Sequence, residues 1–111
     1  METRVAVLAI IVENTESVEE LNKTLHEYGN FIIGRMGLPY REKGIHIVSV
    51  AIDAPQDKIS ALAGKVGKIN GISVKTAYSA VMSDEWKNED TYWKAWKWKI
   101  SFTFGISVSY I

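Results

Sequence analysis

Apolar residues recur along this chain in two rhythms. Residues 5–12 are an unbroken apolar run rich in Val, Ile and Ala, the pattern of a strand buried on both faces. Asn14, Thr15, Glu16 and Ser17 follow as a turn and cap. Ser17 and Glu20 stand at capping-box spacing, in which each side chain would satisfy a backbone donor at a helix start. Val18, Leu21, Leu25 and Tyr28 then fall on one face of a helix. Gly29 and Asn30 end that helix, and Phe31, Ile32 and Ile33 open a second strand.

The same phase returns 41 positions later, where Ile59, Leu62, Val66 and Ile69 repeat the spacing of Val18, Leu21, Leu25 and Tyr28. A strand at 45–52 leads in. Asp53, Ala54 and Pro55 supply a cap and a proline suited to a first helical turn. Asn70 and Gly71 end the second helix, and a strand is predicted over 72–78. A single strand-helix-strand unit cannot bury both its sheet face and its helix stripe. Two in tandem can, with four strands in one sheet and both helices on one side. The expected fold class is α+β, a ferredoxin-like βαββαβ sandwich over residues 1–80, with sheet order 4-1-3-2 from right-handed crossovers. Such a sheet has one face bare of helices, to be covered by another copy, a ligand or an added segment.

The rhythm breaks after Ala80, so a second segment is expected over 81–111. All four Trp residues, 86, 93, 96 and 98, fall in this stretch. Ser83, Asp84 and Glu85 look like a helix start, and Trp86, Trp93 and Trp96 keep helical phase. From Trp96 to Tyr110 apolar and polar residues alternate, which predicts a strand with one apolar face. Left exposed it would aggregate. The expected extension is therefore a helix plus strand, packed on or added to the same sheet. Lys94 to Lys99 mixes cations with indoles, as membrane-active peptides and single-strand binders do. Trp rings on the bare sheet face, with lysines in water, explain the same residues.

With 111 residues the chain is long enough for one core. Thirteen basic residues balance thirteen acidic ones, which gives no general pull toward nucleic acid or anionic membrane. There is no Cys, so disulfides, thiolate metal sites and Cys nucleophiles are excluded. This fits a cytoplasmic location. The start of the chain lacks a cationic region, and its apolar run is far shorter than the roughly 20 residues a spanning helix needs, so no signal peptide or membrane span is expected.

Between the repeats, residues 34–44 read as a strand end and a long basic hairpin loop. Gly37, Pro39 and Gly44 punctuate it, and Arg35, Arg41 and Lys43 charge it. Two arginine forks could grip a carboxylate or phosphate there. The stretches METRVAVLAIIVE, SVEELNKTLHEYG, FIIGRMGLPYREKGIHIVSVAIDAP and GISVKTAYS resemble the iron-only hydrogenase system regulators, small bacterial proteins with an ACT-like fold similar to the C-terminal domain of nickel-responsive repressors. The resemblance covers residues 1 to about 80, and the segment from Gly34 to Gly44 is its most specific part. It implies a cytoplasmic, non-catalytic protein, oligomeric through its sheet, with a regulatory role. It carries no effector with it and does not extend into the tail.

Other chemistry finds little support. Nickel-responsive relatives use a site of His and Cys, and here only His26 and His46 are available. His26 falls off the helix stripe. His46 shares a sheet face with Val48, Val50 and Ile52. A zinc or nickel site needs three or four converging ligands, so both histidines are read as plain surface or interface residues. Acylphosphatases on the same fold cradle phosphate in a glycine-rich first loop. Here that loop is Glu13 to Glu16, without glycine and acidic at both ends. RNA-binding relatives of the fold stack bases on central-strand aromatics, and neither central strand has one. Asp53, Asp57, Glu19 and Glu20 are explained as helix-start carboxylates.

The expected function is a non-catalytic regulatory domain that acts through oligomerisation or through ligand or partner binding. No catalytic residue, metal or cofactor is expected. The expected partner is a second copy, in a dimer or tetramer unless the tail blocks it, with no nucleic acid and no membrane. Candidate ligand or partner contacts are Arg35, Tyr40, Arg41 and Lys43, together with Trp86, Trp93 and Trp96. Two alternatives stand beside this. One is an engineered scaffold, a native domain with a designed C-terminal extension. The other is a small-molecule binder that uses the sheet face and the Trp cluster.

Overall fold

A computed structural model describes residues 2–82 and 107–109 of the chain. The elements run β1 (Arg4–Val12), α1 (Val18–Glu27), β2 (Ile32–Tyr40), β3 (Ile45–Ala54), α2 (Gln56–Gly67), β4 (Ile72–Met82) and β5 (Ser107–Ser109). The strands form one antiparallel sheet in the order β4-β1-β3-β2-β5. β1 and β3 lie at its centre, which is why both carry near-continuous apolar runs.

The pleat sorts β1 into two sides. Ala6, Leu8, Ile10 and Val12 enter the core with Val50, Ile52 and Ala54 of β3. Leu21 and Leu25 of α1 and Ile59, Leu62 and Val66 of α2 close over them, joined by Ile69. Val18 and Tyr28, the ends of the first predicted stripe, pack at its margin. Both helical repeats therefore do what their spacing demands. Each fully buried Leu or Ile contributes about 1.5–3 kcal/mol. On the opposite side of the sheet, Val7 and Ile47 remain 39% and 38% exposed.

Three local expectations change. Ser17 makes no side-chain cap for α1. Its hydroxyl donates to the Asn70 carbonyl at 2.6 Å instead, because Ser17 is buried where the two repeats meet. Asn14 is the cap, accepting from the Glu16 amide at 3.1 Å ahead of a 3-10 turn at Thr15–Ser17. The second change is at 34–44, where the loop is short. β2 continues to Tyr40, and only the turn Arg41–Lys43 with Gly44 joins it to β3. Pro39 is tolerated because, among the described residues, the outer side of β2 is paired at Arg35, Met36 and Gly37 and not at Pro39. The third change concerns Asp53. It lies within β3 rather than at a helix cap, Pro55 takes the cap position of α2, and one Asp53 carboxylate oxygen is buried without a hydrogen-bond partner.

Of the tail, β5 falls within the predicted alternating strand. It pairs Ser107, Val108 and Ser109 with Gly37, Met36 and Arg35, so the edge it joins is that of β2. The predicted helix from Ser83, and the candidates Trp86, Trp93 and Trp96, lie outside the described residues.

Candidate functional site

The register of β2 on β3 decides which side chains of the basic segment share a face. Arg35, Gly37 and Pro39 lie opposite Val50, Val48 and His46, on the side of the sheet that carries the helices. Beyond the core that face opens into a cleft of about 250 Å³. Val12, Val48, Gly37 and Pro39 line it from the sheet, and Val18, Leu21 and Asn22 line it from α1. Arg35 and His46 complete the lining.

Arg35 is the centre of this cleft. Its Nη2 donates to Asn22 Oδ1 at 2.6 Å, which fixes the guanidinium against α1. Burial pulls its pKa below the ordinary arginine value, because desolvation disfavours the charged form. It stays charged at neutral pH all the same. Among the described residues no carboxylate lines the cleft, and the ion pair they form, Lys65 with Glu27 at 3.3 Å, is elsewhere. Among the described residues this half-buried cation is thus met by one neutral acceptor, which leaves donors of its fork for an anion.

A second cavity, of about 440 Å³, adjoins the first and shares Pro39 and His46 with it. Thr15, Tyr40, Arg41, Gly44 and Ile45 form the remainder. Gly44 closes the turn in a left-handed conformation, φ 64°, which places Arg41 at the rim. Tyr40 is held by its hydroxyl, which donates to Glu42 Oε2 at 3.0 Å.

The structure brings Arg35, Tyr40 and Arg41 to these two adjoining cavities and leaves Lys43 exposed outside both. Sequence reasoning missed Asn22 and His46. For His46 the signal was present, since its alternation with Val48, Val50 and Ile52 puts it on the helix side, where it is half-buried. Asn22 sits beside the apolar stripe of α1, and nothing in its spacing marks it. Among the described residues there is no cluster of three or more His, Asp or Glu side chains able to hold a metal ion. No helix there is long and apolar enough to cross a membrane.

Residues 4–76 match the model of the TM1266-like family, described as "Iron-only hydrogenase system regulator, putative". The chain is similar in structure to the uncharacterized protein TM1266 from Thermotoga maritima, with a TM-score of 0.67 and 35% sequence identity, over 69% of this chain and 98% of that one. No curated protein matches the chain. The match spans both helices, the central strands and the segment that carries Arg35 and His46. The chain belongs to the TM1266-like family of iron-only hydrogenase system regulators.

Proposed function

We propose that this chain is a non-catalytic, ACT-like regulatory domain that responds to a small anionic ligand held by Arg35. The observation that carries the reading is the half-buried Arg35 guanidinium, bonded to Asn22 and matched by no carboxylate among the described residues of its cleft. An anion there would restore the solvation that burial removes and would tie β2 to α1 through one bound group. Arg35 sits on β2 at the position where β5 pairs with it, so occupancy of the cleft would stiffen the strand that β5 joins.

A thermal melt with added acetate, inorganic phosphate or glutarate tests this. A ligand at about 100 times its Kd adds roughly 2.7 kcal/mol of stability. A rise of several degrees in Tm that Arg35→Gln abolishes supports the reading. Equal melts with and without every anion contradict it.

Self-association is a second reading, favoured by the exposure of Val7 and Ile47 on the helix-free face. Burial of that face against a second copy would remove both side chains from water. Light scattering on a sizing column checks it. A dimer that Ile47→Lys converts to a monomer supports it, and a monomeric native chain contradicts it.

A further inference from the structure

We infer that the two cavities joined at Pro39 and His46 form one bipartite site for an elongated ligand with an anionic group at each end. Resting on the anion-binding reading of Arg35, this adds a second contact, Arg41, and a ligand class. Arg35 lines the inner cavity and Arg41 the outer one. The neck between them is the cross-strand pair of Pro39 and His46. Along β2, Arg35 and Pro39 share a face four positions apart, about 14 Å of strand. A small monoanion at Arg35 therefore leaves the outer cavity empty. A ligand with a linker of several carbons fills both.

The linings agree with such a ligand. Among the described residues Arg35 and Arg41 are the permanent cations of the two cavities, and no carboxylate lines either one. Val12, Val18, Leu21 and Val48 give the inner cavity an apolar wall suited to a methylene chain. At the neck His46 offers ring nitrogens, and in the outer cavity Thr15 offers a hydroxyl. Tyr40 is committed to Glu42 and serves as wall. The shared chemistry is a pair of terminal anions, either carboxylates or phosphate-like groups.

Calorimetric titration of the full chain tests this with a dicarboxylate series from malonate to suberate and with alkylene bisphosphonates of matching length. Acetate serves as the single-anion control. The expected result is an affinity that rises to an optimum length. Arg35→Gln and Arg41→Gln each weaken the optimal ligand roughly tenfold or more, and each loss is far larger than the same variant's effect on acetate. The stronger series identifies the end group. Arg35→Lys, which keeps the charge but loses the planar fork, gives a partial loss and guards against a folding defect in the Gln variant. Affinity independent of length, lowered by Arg35→Gln and untouched by Arg41→Gln, overturns the bipartite site while the Arg35 reading stands. Absence of binding by every probe overturns both.

Discussion

Gly71 lies against Asn14: a β-carbon on Gly71 would sit 2.6 Å from that of Asn14, and Gly71 holds φ at +75°. This is where the two halves of the internal repeat meet. The Glu13 amide donates to the Gly71 carbonyl at 2.7 Å, and Ser17 donates to the neighbouring Asn70 carbonyl at 2.6 Å. The turn between the second helix and β4 thus also braces the start of the first helix. Gly44 is a useful contrast, because it has φ +64° but nothing within 4 Å of its would-be β-carbon.

Substitution at these two glycines separates backbone strain from crowding. Gly44→Ala carries only the left-handed penalty, about 1 kcal/mol. Gly71→Ala adds a clash with backbone and side chain of Asn14, for a total of about 3 kcal/mol. Urea unfolding of both variants checks the order, and equal costs would mean that the joint between repeats yields freely.

Ser17→Ala removes the hydroxyl that pairs with the Asn70 carbonyl. The expected cost is about 1–2 kcal/mol. Glu20→Ala is expected to leave stability nearly unchanged, because Ser17 and Glu20 do not form a capping box. Chemical denaturation of the two variants distinguishes the observed hydrogen bond from the capping box that the spacing suggests.

Thr3→Val is expected to be neutral or to stabilise the protein by up to about 1 kcal/mol. The Thr3 hydroxyl is buried without a hydrogen-bond partner, and Val replaces it with a methyl of the same shape. A clear loss of stability on denaturation would show that the hydroxyl is satisfied after all.

Lys65 links the helices through the Glu27 carboxylate at 3.3 Å and stands 5.2 Å over the Tyr28 ring. The Tyr28 side chain beside it, and then the Glu27 carboxylate, raise its pKa above the ordinary 10.5. A raised folded value means stabilisation that is complete below the unfolded value and is lost as pH climbs through the folded one. Lys65→Met should therefore be slightly less stable than the native chain near neutral pH, and the difference should vanish in strong alkali. Unfolding curves at pH values either side of the lysine range check this, and a gap that widens with pH would contradict it.

Much of the fold was legible because periodicity survives where packing depends on it. Leu21 and Leu25, then Ile59, Leu62, Val66 and Ile69, sit in the core as their spacing requires. Misreadings arose where a residue type has two uses. Gly37 and Pro39 looked like loop punctuation, but both lie within β2, Gly37 paired on both sides and Pro39 on the β3 side. Ser17 looked like a cap because capping-box spacing cannot reveal that Asn70, 53 positions away, competes for its hydroxyl. At the site, Arg35 and Arg41 were legible as basic residues in a distinctive segment. The cleft that makes Arg35 matter was not, since it depends on Asn22 reaching across from α1.

The central claim is that Arg35 receives an anion from solvent, and NMR shift mapping of the full chain tests it most directly. On titration with glutarate, the account predicts saturable shifts at the Arg35 side-chain Nε–H, the Asn22 amide group and the His46 ring. The cavity at the far end of α1, lined by His26, Glu27, Gly29 and Asn30, should stay unmoved. Shifts confined to that cavity or to Val7 and Ile47, with Arg35 silent up to high glutarate, would contradict it.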